Sequence, residues 1–204
     1  MKIRAKILKA LLHSGPMSRA ELAEQIGSSN SGVTAVSATL CEQGVIYETG
    51  YQQRTGKGRK HVLLDVNISY KFAFGVGVCG GVVSVGLTTV KGDTIAKRLY
   101  YVSDSDTKSS IFDVIKKLIQ QISRECCISE RDVLGIGVCA DSAMVERFGD
   151  DFCSLDGTLP VLFESADEYR DFLKTMRAAD PAQFYMFGCA KVIRDIYIAD
   201  DWTD

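Results

Sequence analysis

The sequence predicts two domains, an α+β head at residues 1–68 and a larger α/β body at residues 69–204. Charge is the first observation behind this division. Residues 1–71 hold ten basic and five acidic side chains, whereas residues 72–204 hold 14 and 21, so the formal net charge of -2 hides a basic head and an acidic body. The other two observations are patterns: helical runs with a basic loop in the head, and strand-like runs around an amphipathic helix in the body.

The head begins with two helical runs. Apolar residues recur at helical spacing from Ile3 to Leu12, and Gly15-Pro16 ends this first helix. Ser18 and Glu21 have the spacing of a capping box, in which the serine oxygen and the carboxylate each accept a backbone N–H at a helix start. A second helix is therefore expected to begin at Ser18.

A third helix and a hairpin complete the head. Gly27-Ser28 predicts a tight turn, and Ser29 or Asn30 caps a third helix that runs to about Gln43. Two short β-type runs follow, at residues 45–49 and 61–66, around a loop that holds four cations and three glycines. These runs predict a two-stranded wing with a basic tip.

The predicted order of elements is that of a winged helix-turn-helix: helix, helix, short turn, helix and basic hairpin. In this fold the third helix enters the major groove and the wing contacts phosphates. Double-stranded DNA is therefore the expected partner. The start of the third helix carries the candidates for base reading: Ser29, Asn30, Ser31, Thr34 and Ala35. The candidates for phosphate contact lie in the wing: Arg54, Lys57, Arg59 and Lys60. Arg19, at the start of the second helix, is a further candidate DNA contact.

Base reading by one such helix is expected to discriminate weakly. Asn30 can form a bidentate pair with adenine, but the start of the third helix has no arginine to read guanine. We therefore expect a homodimer that binds two half-sites, because a second half-site adds specificity.

The body predicts a β-β-β-α-β order. Three strand-like runs form an antiparallel meander: Lys71–Cys79, Val82–Val90 and Thr94–Val102. An amphipathic helix over Ile111–Ile122 follows, and the uncharged strand Val133–Cys139 is expected to join the same sheet in parallel. Further along we predict a strand, a helix and two strands, at residues 159–163, 169–176, 183–187 and 192–198.

Two stretches raise a membrane or secretion hypothesis, and the sequence argues against both. Residues 72–90 carry no charge, but five glycines, including Gly80-Gly81, favour a hairpin of buried strands over a membrane span. The N-terminal segment is basic like a signal peptide, yet Lys6 and Lys9 interrupt what would be its apolar core. A cytoplasmic location is the expectation.

The seven cysteines predict buried free thiols in a reducing cytosol. They form no C-x-x-C pair, most lie in apolar stretches, and the chain has only two histidines, so neither a disulfide framework nor a zinc site is indicated. No metal and no cofactor are therefore expected. Adjacent Cys126 and Cys127 leave a redox pair as an alternative, but such neighbours rarely close a disulfide without strain, which favours packing at a helix end.

Four segments resemble the ROK family of bacterial repressors and sugar kinases: GPMSRAELAEQIGSSNSGVTAVSATLCEQGVI, TGKGRKHVLLDVN, FGVGVCGGVVSVGLTTVKGDTIAK and DVLGIGVCAD. The resemblance becomes faint after Asp141. It implies a winged helix over residues 1–66 and then a truncated lobe of the ribonuclease-H/actin type, β-β-β-α-β-α in order. It also implies a transcriptional regulator, a repressor rather than an activator, whose effector would be a sugar or a sugar phosphate.

The sequence departs from the family's kinases at the positions that bind phosphate and supply the catalytic base. Gly77 stands where those kinases carry an acidic residue in the first phosphate loop, and Ala166 stands where they carry the aspartate base. Only Gly188 remains of the second phosphate loop, and the zinc motif and the second lobe are absent from these 204 residues. The resemblance therefore implies a catalytically inactive lobe kept for dimerisation, regulation or both.

Three alternatives remain open. One is a sugar kinase or its remnant. A kinase would need the acidic residue, the catalytic base and the phosphate-loop glycines that this sequence lacks. Another is a metabolite sensor in which a sugar binds near the strand ends to Cys139, Asp141, Ser142 and Glu164. The simpler interpretation is that Asp141 and Glu164 are solvated loop residues. The last is a protein-interaction module whose basic head binds an acidic partner. A preference for one DNA sequence would distinguish a regulator from that module.

Overall fold

The computed structural model describes residues 2–52, 61–149, 181–183 and 185–198. Contacts divide the chain into two compact units. The winged unit consists of Met1–Tyr70 together with Ile196–Asp204, and the sheet unit consists of Lys71–Asp195. Tyr197, near the end of the chain, therefore belongs to the winged unit by its contacts.

Three helices and a small sheet form the winged unit. The helices are α1 (Ile3–Ser14), α2 (Arg19–Ile26) and α3 (Asn30–Glu42), and the strands are β1 (Met17–Ser18), β2 (Ile46–Gln52) and β3 (His61–Val66). The strands pair antiparallel in the order β1-β3-β2, with a bulge in β2 between Glu48 and Gly50. This element order confirms the predicted winged helix-turn-helix.

Local capping sets the helix boundaries. Ser18 and Glu21 form the predicted capping box: Ser18 Oγ accepts the Glu21 N–H at 3.3 Å, and the Glu21 carboxylate accepts the Ser18 N–H at 2.8 Å. Gly27 ends α2 in the left-handed conformation at φ 63°, which lets the chain turn sharply toward α3. Of the two residues predicted to cap α3, Ser29 does so, because its Oγ accepts the Gly32 N–H at 3.2 Å.

The core of the winged unit combines all three helices with the sheet. Its fully buried apolar side chains include Ile7, Leu8, Leu11, Leu22, Val33, Leu40, Leu64 and Val66. Tyr197 joins this core, where its hydroxyl donates to the Val45 carbonyl at 3.2 Å. Burial raises the pKa of this hydroxyl. The same carbonyl accepts the Asn67 N–H at 2.9 Å, so the start of β2 is fixed from two sides.

A four-stranded sheet forms the centre of the sheet unit. Its strands are β4 (Phe72–Cys79), β5 (Val82–Thr89), β6 (Thr94–Tyr101) and β7 (Val133–Ala140), in the order β6-β5-β4-β7. The first three form an antiparallel meander, and β7 joins β4 in parallel after the helix α4 (Lys108–Glu125). The predicted β-β-β-α-β order is therefore confirmed, and the short helix α5 (Ser142–Phe148) follows β7.

The uncharged stretch at residues 72–90 is a β-hairpin. Gly80 and Gly81 have φ of 56° and 76°, and positive φ at both positions is what a two-residue type I′ turn requires. One face of the hairpin packs on α4 through a core that contains Ile111, Ile115 and Ile122. Within the described ranges no helix is long and apolar enough to cross a membrane.

The end of the chain differs from the prediction. The two strands expected after residue 182 are wrong, because the structure has a helix, α6 (Tyr185–Val192), followed by a π-helical segment, Ile193–Ile198. A short apolar run is compatible with a strand or with a buried helix, and here the contacts of Gly188 favour the helix. Its backbone lies so close to Gly137 of β7 that a Cβ on Gly137 would be 2.2 Å from the Gly188 carbonyl oxygen. The predicted strand at 159–163 and helix at 169–176 lie outside the described residues.

The described cysteines are free thiols, as predicted: Cys41, Cys79, Cys126, Cys127, Cys139 and Cys189. Their predicted burial is wrong for four of the six, because only Cys139 and Cys189 among the described cysteines are fully buried. Burial raises the pKa of the Cys189 thiol to about 12. Cys126 caps the end of α4 and Cys127 follows it with φ 56°, which agrees with the helix-end interpretation. Cys153 lies outside the described residues.

Candidate nucleic-acid interface

The first two turns of α3 present an uncharged face of small polar side chains to solvent. Four of the predicted base readers are exposed on this face: Asn30, Ser31, Thr34 and Ala35. The opposite face is buried in the winged unit through Val33 and Leu40. Gly32 lets α3 approach α1 closely, because a Cβ here would lie 3.3 Å from Ile3 Cδ1. The helix is thus held by its apolar side while its polar side stays accessible, as a helix that reads a major groove requires.

Hydrogen bonds within α3 distinguish the candidate base readers from one another. Ser29 Oγ caps the helix and lies 3.2 Å from Ser31 Oγ. Thr34 Oγ1 donates to the Asn30 carbonyl at 2.7 Å. These hydroxyls already have partners, whereas the exposed Asn30 amide offers one donor and one acceptor group side by side, the pattern that matches the edge of adenine. Asn30 is therefore the strongest candidate for base reading, and Ser29 has a structural role as the cap.

Arg19 connects α2, α3 and β2. Its Nε donates to Ser37 Oγ at 3.1 Å, and its Nη2 pairs with Glu48 Oε1 at 3.2 Å. Ser37 is buried and donates in turn to the Thr34 carbonyl at 3.1 Å. Direct contact of Arg19 with DNA stays a prediction. Sequence reasoning missed this network, although a serine on the apolar side of a helix signals a buried polar partner.

The wing begins with the described parts of β2 and β3. Tyr51, close to the end of β2, is 67% exposed and pairs in register with Val62 of β3. The four predicted phosphate contacts of the wing tip lie outside the described residues: Arg54, Lys57, Arg59 and Lys60. Their role in binding phosphates stays a prediction.

The carboxylate of Asp141, a candidate for ligand binding, is engaged within the sheet unit. Its Oδ2 accepts the Gly80 N–H at 2.8 Å, and its Oδ1 accepts the Met144 N–H at 2.8 Å. This carboxylate therefore ties the β4–β5 turn to the start of α5. Burial, together with a hydrogen bond to Asp141, raises the pKa of the nearby Cys79 thiol to about 12.

The other candidate ligand residues are not brought together by the described structure. Cys139 is buried in β7, Ser142 is the first residue of α5, and Glu164 lies outside the described residues. A sugar site at the strand ends stays a prediction. In the part of the chain that the structure describes, no group of three or more His, Cys, Asp or Glu side chains could hold a metal ion.

The first residues of the chain match a known domain family. The family described as winged helix-turn-helix DNA-binding matches residues 2–47, which include α1, α2 and α3. The matched range ends just after β2 begins, so it contains the exposed face of α3 described above.

Two repressors are similar to the chain over a longer range. The xylose repressor of Bacillus spizizenii is 30% identical over 142 residues, which are 68% of this chain and 36% of that protein. The xylose repressor of Bacillus subtilis is 29% identical over 142 residues, with the same two coverages of 68% and 36%. The chain therefore spans about a third of the length of the curated relatives it matches.

A solved structure is similar in fold to about two thirds of this chain. It is a ROK family transcriptional regulator, a homolog of the E. coli MLC protein, with a TM-score of 0.50 and 17% sequence identity. The match covers 67% of this chain and 34% of the other. At this identity the similarity concerns the fold: a winged helix-turn-helix followed by a mixed α/β sheet.

Proposed function

Because this chain belongs to the ROK family of transcriptional regulators, we propose that it is a transcriptional repressor that binds double-stranded DNA through its winged unit. The observation that carries the proposal is the exposed, uncharged face at the start of α3, held on a capped helix-turn-helix. The excess of basic side chains in residues 1–71 supplies the attraction to the phosphate backbone. Bound at a promoter, the protein would exclude polymerase by occupying the site.

A homodimer would supply the specificity that one winged unit lacks. Asn30 is the one exposed side chain at the start of α3 with the amide geometry for a bidentate base contact, and no arginine accompanies it there. Two recognition helices on two half-sites add their discrimination. A sugar, a sugar phosphate or a partner protein that changes the distance between the two helices would regulate binding.

The test of this function is fluorescence anisotropy of the full chain on labelled duplexes across a salt series. We expect tighter binding to DNA from upstream of its own gene than to scrambled DNA, with an affinity that falls steeply as salt rises. Equal, weak affinity for both duplexes at every salt concentration would contradict a sequence-specific regulator and favour an acidic protein partner.

A comparison of two variants tests how base and phosphate contacts are divided. Asn30→Ala is expected to change the order of preference among duplexes, because losing one bidentate contact costs about 1–3 kcal/mol at one base pair. Neutralising Arg54, Lys57, Arg59 and Lys60 to glutamine is expected to weaken binding to all duplexes alike and to lower the salt slope by about 3–4. Anisotropy on a duplex panel measures both effects. If both variants weaken every duplex by one common factor, the division is wrong.

The sheet unit is proposed to have no sugar-kinase activity. Gly77, which stands at the position of the kinase carboxylate, is buried in β4. Its carbonyl accepts a hydrogen bond from the Ser84 hydroxyl at 3.3 Å. No side chain at this position can help to bind a metal–phosphate group. We expect no ADP production above background when the chain is incubated with ATP, magnesium and a panel of hexoses and pentoses in a coupled assay. Sugar-dependent turnover that follows the protein through purification would contradict this proposal.

A further inference from the structure

A chain of hydrogen bonds connects the wing strand β2 to the start of the recognition helix α3. It begins at Glu48 of β2, whose Oε1 accepts from Arg19 Nη2 at 3.2 Å. Arg19 Nε donates to Ser37 Oγ at 3.1 Å, and Ser37 Oγ donates to the Thr34 carbonyl at 3.1 Å. Thr34 Oγ1 completes the chain by donating to the Asn30 carbonyl at 2.7 Å. This Arg19 network therefore links the strongest candidate for base reading to the strand that leads into the wing.

The backbone that carries Arg19 is itself fixed. Arg19 is the first residue of α2 and directly follows Ser18. Ser18 is buried, forms the capping box with Glu21 and pairs with Leu63 of β3. The side chain of Arg19 therefore extends from a point that belongs both to the helices and to the sheet of the winged unit.

The two bonds of the Arg19 guanidinium constrain each other. The group is planar and its N–H donors form a rigid fork, so the direction of the bond to Ser37 sets the place at which Glu48 can accept. Ser37 is fully buried, and its hydroxyl has one donor partner and one acceptor partner. The Glu48 side chain is 55% exposed, so the ion pair alone would add little stability. The network therefore supplies geometry rather than strength.

The wing strand changes direction next to Glu48. The pairing of β2 with β3 has a bulge between Glu48 and Gly50. A bulge bends its strand and increases the local twist, so the course of the residues beyond it, such as the exposed Tyr51, depends on how the bulge is held. The bond from Arg19 to Glu48 therefore lies where the direction of the wing is set.

We propose that Arg19 is a positioning residue for DNA recognition, which holds the wing and α3 in one fixed relation so that both meet the same duplex. This inference rests on the proposed DNA-binding function. Two of the three guanidinium nitrogens of Arg19 already donate to protein acceptors. A specific complex needs the base readers and the wing in place together, whereas phosphate contacts alone carry no sequence information. Loss of the Arg19 network therefore lowers discrimination between duplexes more than it lowers non-specific affinity.

A ratio of two affinities tests this role in the full chain. Fluorescence anisotropy gives the affinity for DNA from upstream of its own gene, divided by the affinity for scrambled DNA. Arg19→Lys keeps the positive charge, but a single ammonium nitrogen cannot replace the fork that serves Ser37 and Glu48 together. Glu48→Ala removes the acceptor and one negative charge, and the charge change on its own would favour every duplex alike. We expect the ratio to fall about threefold to tenfold in each variant, and no further in the double variant, because both substitutions break one network.

Arg98→Lys is the matched control, because Arg98 forms an ion pair with Glu125 in the sheet unit. This control is expected to keep the wild-type ratio. Destabilisation alone cannot imitate the expected result, since a smaller folded fraction lowers both affinities by one factor. A wild-type ratio in Arg19→Lys or in Glu48→Ala, additive losses in the double variant, or an equal fall in the control would overturn the positioning role while the chain still distinguishes its duplexes. A wild-type chain that does not distinguish the two duplexes would instead overturn the proposed function, and the positioning role with it.

Discussion

Tyr197→Ala is expected to destabilise the winged unit by about 3–5 kcal/mol, the range for truncating a buried large aromatic side chain. Its ring is fully buried, and its hydroxyl donates to the Val45 carbonyl at 3.2 Å, between the end of α3 and the start of β2. The truncation would leave a cavity in the core of the winged unit, next to Val45. It would also leave the Val45 carbonyl with the Asn67 N–H as its remaining backbone partner.

Two measurements on the full chain would quantify this effect. Urea unfolding followed by far-ultraviolet circular dichroism gives the loss of stability, and hydrogen exchange by mass spectrometry locates it. Exchange is expected to accelerate in peptides that cover β2 and β3, while peptides from the β4–β5 hairpin keep their wild-type rates. Tyr197→Phe separates the hydroxyl from the ring, and we expect it to cost about 1 kcal/mol.

Tyr101→Ala is the control for the loss of a tyrosine as such, because Tyr101 lies on β6 and is 73% exposed. Its cost is expected to stay within about 0.5 kcal/mol. If Tyr197→Ala costs no more than this control, Tyr197 is not part of the core of the winged unit. The exchange pattern would then be the same in both variants.

Local signals made the winged unit predictable from the sequence. The capping box at Ser18 and Glu21, the left-handed Gly27 and the cap at Ser29 each depend on residues within one helical turn. The Gly80-Gly81 turn is equally local, and it placed the hairpin correctly in a stretch whose composition alone would also suit a membrane span. The exposed position of Asn30 at the start of α3 was predictable because it follows directly from the helix start.

Contacts between distant parts of the chain were not predictable in the same way. Arg19 bonds to Ser37 and Glu48, 18 and 29 residues away, so its role in orienting α3 depends on the completed fold. Tyr197 bonds to a residue 152 positions away, and no local pattern indicates such a contact.

The helix α6 is the clearest example of an element that local sequence does not predict, because the residues that pack against it decide its conformation. Three glycines of the sheet make room for it: Gly75, Gly86 and Gly137. A Cβ on Gly75 would lie 1.8 Å from the Tyr185 carbonyl oxygen, and a Cβ on Gly86 would lie 2.0 Å from the Tyr185 ring. In the sequence these glycines predict a turn or a weakened strand, and their common function becomes visible only when the strands are paired.

Gly137→Ala is accordingly expected to destabilise the sheet unit by about 3 kcal/mol and to loosen α6 from the sheet. The added methyl group would lie 2.2 Å from the Gly188 carbonyl oxygen, and a backbone atom cannot rotate away as a side chain can. Loosening α6 would bring the buried Cys189 thiol into water, where its pKa falls from about 12 toward the ordinary range for thiols. We expect rapid labelling of Cys189 by a thiol reagent in this variant and slow labelling in the wild type, measured by peptide mass spectrometry.

Gly92→Ala separates this packing effect from the strain of replacing any glycine. Gly92 has φ 87° in the β5–β6 turn and nothing within 4 Å of a Cβ, so its replacement is expected to cost about 1–2 kcal/mol through backbone strain alone. Cys189 should stay protected in that variant, because the added methyl group contacts nothing and α6 keeps its packing on Gly75, Gly86 and Gly137. Slow labelling of Cys189 in Gly137→Ala, with stability no lower than in Gly92→Ala, would mean that α6 does not pack on the glycines of the sheet, and the region would then be open to the strand conformation that its apolar sequence also allows.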